Sequence, residues 1–160
     1  MAALSPGNAL PALSLTDGRG GAAAPPAGET LYGFFKTTCP TCELAWPYFD
    51  RIGLAARGGK LLVVAVSQDD PAATDRFNRR LGVQLITVFD PEPWAGSAAL
   101  GLDTVPTFVR VGADGTVRGT LVGFQKQKMQ DLAAEAAALA GKPATDLFLP
   151  GEVVPLIKPG

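Results

Sequence analysis

The sequence predicts an α/β fold of three layers, with helices on both sides of a central mixed sheet. Three observations carry this. Short apolar runs rich in β-branched and aromatic residues alternate with helix-length segments bounded by capping residues. The most apolar run, Leu61-Leu-Val-Val-Ala-Val66, has no polar face, as expected of a central parallel strand covered on both sides. A hairpin signal, Ala113-Asp-Gly115, follows the later of these runs. Alternation implies right-handed crossovers and parallel pairing, and the hairpin adds an antiparallel edge.

Taken in order, residues 4 to 19 form an irregular lead-in with a small hairpin closed by Asp17-Gly18, and Gly20 to Gly28 is a loop of Ala, Gly and Pro. Leu31-Tyr-Gly-Phe-Phe-Lys36 is a buried strand, and Pro40 opens a helix that runs to about Arg57 and stops at Gly58-Gly59. After the 61–66 strand, Asp70 caps a helix over 71–81, with Pro71 at its first position, Arg79 and Arg80 in its last turn and Gly82 beyond. Leu85 to Phe89 is a strand, Pro93 to Leu100 a short helix, and Thr107 to Val111 pairs with Thr116 to Val122. Gln125 to Ala140, with Met129, Leu132, Ala136 and Leu139 at helical spacing, closes the domain on the sheet. The domain thus covers 1–141, and 142–160, with four prolines and clustered apolar residues, is an extended tail lying on it.

At 160 residues the chain hides roughly 70% of its unfolded surface and needs no staple to fold. A net charge of −1 with 18% charged residues gathers neither nucleic acid nor an anionic membrane. No apolar stretch approaches the roughly 18 residues of a membrane helix. The segment Met1-Ala-Ala-Leu-Ser-Pro-Gly7 lacks a basic start and an apolar stretch, so a cytoplasmic location is expected unless an export signal has been removed.

The chain has no histidine, which removes Cys-His and Ser-His-Asp catalysis and every histidine-based metal site. Its two cysteines lie in Cys39-Pro40-Thr41-Cys42, a very short loop for a structural disulfide. Two ligands are too few for a tetrahedral zinc site, so no metal is expected. Two reduced core cysteines at accidental spacing are the plain alternative. At a strand-to-helix junction, however, amide dipoles lower a thiol pKa from about 8.5 into the range roughly 3.5 to 7.5. Cys39, at the helix start, is then the expected nucleophile, and Cys42, one turn in and more buried, the resolving thiol.

Cys39-x-x-Cys42 after a strand, followed by Thr104-Val105-Pro106-Thr107 before the hairpin, resembles the motif pair of the thioredoxin superfamily. That resemblance implies a cis Val105–Pro106 peptide and makes Val105 and Pro106 substrate contacts through the Val105 backbone. Two strand-helix units between Cys42 and Pro106, Pro47 within the active-site helix and the Leu10 to Gly18 lead-in resemble the redoxin branch, particularly TlpA/ResA-like thiol-disulfide oxidoreductases. The resemblance covers roughly residues 8 to 140. It implies exchange of the Cys39–Cys42 dithiol with protein or small-molecule disulfides, an external thiol reductant such as a thioredoxin or glutathione system, and no bound cofactor.

The chain departs from that pattern. Thr38 stands where a tryptophan is usual, and Gly33 where thioredoxins keep a buried aspartate that assists the second thiol. Glu43 is a candidate for proton transfer, against the simpler role of a carboxylate favoured by the helix dipole. Phe35 to Cys42 also resembles glutaredoxins, in which a lysine at the place of Lys36 binds glutathione carboxylate. Lys36, Pro40 and Thr41 therefore join Val105 and Pro106 as candidate substrate contacts. Two other functions stay open. One is a peroxiredoxin-like thiol peroxidase, although such enzymes carry Thr or Ser three residues before the reactive cysteine, where Lys36 stands. The other is a non-catalytic redox-sensing or binding module.

Overall fold

The computed structural model describes residues 4–160, so Met1 to Ala3, with which the segment read for an export signal begins, lie outside it. Strand β1 (Thr30–Phe35) sits at the centre of a five-stranded sheet of order β3-β2-β1-β4-β5, with β2 Leu62–Ser67, β3 Ile86–Phe89, β4 Thr107–Val111 and β5 Val117–Val122. β1 pairs parallel with β2 and antiparallel with β4, so the end of β1 meets both the end of β2 and the start of β4. Phe35 faces Ser67, and Phe34 faces Thr107. This register carries Pro106 to the edge at which the Cys39 turn emerges.

Successive side chains of a strand point to opposite faces, and β1 uses both. Leu31 and Phe35 face helices α1 (Pro40–Ala56), α2 (Pro71–Leu81) and α4 (Lys126–Leu139), whose Trp46, Phe49, Ile52, Phe77, Met129 and Ala136 complete that core. Tyr32 and Phe34 face the second core with Val64, Val66, Val109 and Val117. The two faces are covered unequally. The second is closed by Leu100, just after the short α3 (Ala95–Ala99), and by Leu10, Leu13 and Leu15 of the lead-in. The lead-in is bonded at both ends, Gly7 N–H to the Val117 carbonyl (2.8 Å) and Thr16 N–H to that of Phe89 (2.8 Å). Its turn at Asp17-Gly18 closes a single bridge, Thr16 with Ala22, so the expected small hairpin is reduced to one rung.

Helix α2 has the expected bounds. Asp70 Oδ1 accepts from Ala73 N–H (2.8 Å), and Gly82 takes a left-handed φ of 67° at the C-cap. The helix expected from Pro93 begins only at Ala95, because Trp94 holds φ 58°, outside the helical region. The last helix begins one residue late, at Lys126, because Gln125 is extended and belongs with Phe124 to β6 (Phe124–Gln125). No described helix is long and apolar enough to cross a membrane.

Residues 142–160 turn back over the domain in two differently held parts. Leu147 is buried, Phe148 packs against Tyr48 (ring centroids 4.6 Å) and Phe124 (6.1 Å), and Arg51 grips both oxygens of Glu152 (2.6 and 2.7 Å). Beyond this anchor the chain continues to a strand, β7 (Ile157–Lys158), antiparallel to β6.

The Arg51 bonds, helped by Leu149 N–H, hold the Glu152 carboxyl down to about 2 from an ordinary 4.5. A depressed carboxylate pKa stabilises the docked tail above the free value and loses that contribution as pH falls through the bound one. Docking is therefore expected to be constant from pH 7 to 5 and to weaken between about 4.5 and about 2. The carboxyl carbon shift of Glu152 checks this: its midpoint is expected near 2, and a midpoint near 4.5 would show that the ion pair does not form.

Candidate active site

The chain leaves β1 at Phe35 and turns at once into α1. Cys39 is the N-cap, with extended backbone (φ −93°, ψ 115°), its N–H bonded to the Lys36 carbonyl (3.3 Å) and Pro40 at the first helical position. Proline suits that position because its missing N–H would have no partner there. Cys39 Sγ takes the place of a capping oxygen and accepts from Cys42 N–H (3.1 Å). That bond fixes the sulfur over the first turn of the helix, where it faces the cleft. Cys39 is half-buried and Cys42 fully buried, and both are free thiols.

The two sulfurs are thus unequal. Burial pushes the Cys42 thiol up, and its hydrogen bond with Cys39 and the nearby charges of Cys39 and Asp69 push the same way. Cys42 is held as a neutral thiol at neutral pH. Across the turn the Cys39 thiol donates to the Val105 carbonyl (3.5 Å), 66 residues away in sequence. The Val105–Pro106 peptide is cis, and Pro106 is buried.

A cleft of about 590 Å³ opens beside Cys39, lined among others by Lys36, Pro40, Trp94, Val105 and Gly160. Its wall is built outward from a buried carboxylate. Asp90 accepts from Gly96 N–H (2.8 Å), Ser97 N–H (2.8 Å) and Ser97 Oγ (2.6 Å), which fixes α3. Gln68 Nε2 donates to Ser97 Oγ (2.8 Å), and the Gln68 carbonyl accepts from Trp94 Nε1 (3.1 Å). The Lys36 ammonium lies 4.1 Å from the centre of the Trp94 ring, a cation–π contact that holds it at the cleft. Among the described residues, no group of three or more Cys, Asp or Glu side chains is gathered to hold a metal ion.

No protein-family model and no curated protein matches the chain. Solved structures do. A protein of Chlorobium tepidum described as a thiol:disulfide interchange protein DsbE superposes with a TM-score of 0.73 at 20% identity, over 86% of this chain and 99% of its own. The thioredoxin domain of a thiol-disulfide oxidoreductase of Bacteroides vulgatus gives 0.70 at 16%, over 86% and 99%. A secreted disulfide oxidoreductase of Mycobacterium tuberculosis gives 0.58 at 20%, over 70% and 82%. The chain has the thioredoxin fold.

Within the thioredoxin fold the expected residues sort into two groups. Lys36, Cys39, Pro40 and Val105 share one cleft, with Cys42 behind Cys39 and Pro106 beneath Val105. Glu43 and Thr41 are engaged elsewhere. The Glu43 carboxylate is exposed and paired with Arg80 of α2 (2.6 Å), and the buried Thr41 hydroxyl donates to the Pro159 carbonyl (2.6 Å).

Sequence reasoning passed over Asp69. Its Oδ2 accepts from Thr37 N–H (2.6 Å) and Thr37 Oγ1 (2.9 Å), pinning the turn two residues before Cys39, and its charge reaches Cys42. The signal was Asp69-Asp70 shortly after an apolar strand, of which the capping rule uses only Asp70. The place of the familiar buried aspartate is filled differently. A Cβ on Gly33 would overlap the Phe49 ring, so an aromatic edge occupies that space.

Proposed function

We propose that the chain is a thiol-disulfide oxidoreductase in which Cys39 is the nucleophile and Cys42 the resolving thiol. The observation that carries the proposal is the inequality of the two sulfurs: an accessible Cys39 receiving the Cys42 N–H at a helix start, and a fully buried Cys42 kept protonated behind it. The Cys39 thiolate attacks one sulfur of a substrate disulfide, the S–S bond breaks, and the departing thiolate takes a proton from solvent. Cys42 then loses its proton and attacks Cys39 sulfur, forming the Cys39–Cys42 disulfide and releasing the second substrate thiol. An external thiol reductant returns the dithiol. Val105 and Pro106, as substrate contacts, offer backbone to an extended segment of a disulfide-bearing protein. Glu43, exposed and paired with Arg80, is not assigned the proton of Cys42.

The same proposal includes a reducing role in a cytoplasmic setting. The reduction potential of the Cys39–Cys42 couple tests it, since each 30 mV or so is a tenfold change in this two-electron equilibrium. A value near about −270 mV, that of thioredoxin, is expected. A value near about −120 mV would reverse the proposed direction, to disulfide formation in an oxidising compartment.

A further inference from the structure

The end of the tail occupies ground next to the dithiol that the proposed exchange needs. β7 pairs with β6, and Lys126 N–H bonds the Leu156 carbonyl (2.9 Å). The chain then passes over Gly123, where a Cβ would lie 3.1 Å from the Lys158 carbonyl oxygen. Pro159 offers its carbonyl to Thr41 Oγ1 (2.6 Å), inside the Cys39-to-Cys42 turn. Gly160 reaches the cleft of Cys39 and sits so close to the Val105 carbonyl that any side chain on it would overlap that oxygen and approach Thr104 Oγ1 to 2.8 Å. The Val105 carbonyl is also the group to which the Cys39 thiol donates.

We infer that residues 153–160 are a strap that occupies the lane for an extended protein substrate beside Cys39 and competes with it. The inference rests on the proposed oxidoreductase function. Three features make the strap displaceable without releasing the tail. Its polar hold is made by its backbone: the β7 pairing, the Lys126 N–H bond and the Thr41 bond. Of its large apolar side chains Val154 alone packs against the core, while Val153, Leu156 and Ile157 are 96%, 77% and 68% exposed. The anchor at Leu147, Phe148 and Glu152 lies upstream and is not part of the lane. The tail thus has a firmly held root and a lightly held segment beyond it, with glycine where that segment meets Val105.

A strap tethered this way acts at an effective concentration of order millimolar, and docking for about nine-tenths of the time lowers the rate of a competing event about tenfold. Gly160→Val, which cannot seat beside Val105, and Ile157→Pro, which disrupts β7, are both expected to raise the rate of protein-disulfide reduction about tenfold. Alkylation of Cys39 by iodoacetamide, a smaller probe, is expected to rise about twofold, with unchanged thermal unfolding. A synthetic peptide Leu-Ile-Lys-Pro-Gly at millimolar concentration should slow both reactions in the Gly160→Val protein. Unchanged rates in both variants, or slower ones, would overturn the inference, the latter by making the strap part of the productive surface. Alkylation requires no exchange chemistry. Faster alkylation without disulfide turnover in any variant would therefore sustain the strap and reject the oxidoreductase, whereas turnover with unmoved rates would reject the strap alone.

Discussion

Cys39→Ser is expected to lower turnover of a disulfide substrate by at least about three orders of magnitude, near 4 kcal/mol of transition-state stabilisation at 1.36 kcal/mol per decade. A serine hydroxyl at the same helix start receives the same Cys42 N–H, so capping and fold persist while the nucleophile is lost. Cys42→Ser should behave differently. The Cys39 thiolate still attacks, but the mixed disulfide has no internal thiol to resolve it and accumulates as a covalent adduct visible by mass spectrometry. Retained activity in Cys39→Ser, or a Cys42→Ser protein that traps nothing, would sink the assignment of roles. Trapping by Cys39→Ser through Cys42 would invert it, against the burial that keeps Cys42 a neutral thiol.

Gly33→Asp is expected to be the most destabilising single change at the site, although aspartate is the residue thioredoxins keep there. A new Cβ meets Phe49 Cζ at 2.7 Å, and the Phe49 ring has no free space to enter, since its centroid lies 5.1 Å from that of Trp46 and 5.0 Å from that of Phe108. Overpacking costs about 1–3 kcal/mol and an unpartnered buried carboxyl several more, so a loss of about 4 kcal/mol or greater is expected in chemical denaturation. Phe49→Ala alone should cost about 3–5 kcal/mol through the cavity it leaves. Because the two side chains claim one volume, the double variant should be more stable than the sum by about 2 kcal/mol. Additive costs would show that the aspartate finds room elsewhere.

The comparison of glycine and aromatic shows where sequence reasoning ends. Gly33 is visible as a departure from its position alone, but its compensation by Phe49 is a fact of packing between a strand and a helix 16 residues further on. Elements governed by local chemistry were legible. α2 obeys its caps at both ends, and β2 lies within one residue of the apolar run 61–66 because β-branched residues suit a strand covered on both faces. The short helix at Pro93 was misplaced by two residues because the left-handed backbone of Trp94 has no signature in residue type. That Cys39, Cys42 and Val105 lie together follows from the motif spacing and from the resemblance that motif carries. Asp69 on Thr37 and Pro159 on Thr41 were not legible, since each depends on a partner brought in by sheet register or by the returning tail.

The chain has two tryptophans, and the fold assigns them to different worlds. Trp46 is fully buried between Phe35, Phe49 and Phe108, with its indole nitrogen shielded from water. Trp94 lies half-exposed on the cleft wall, under the Lys36 ammonium. Light emitted by the first therefore belongs at the blue end of the tryptophan range and by the second at the red end. The protein carries two optical gauges, one reading the integrity of its interior and the other the occupancy of the space beside Cys39.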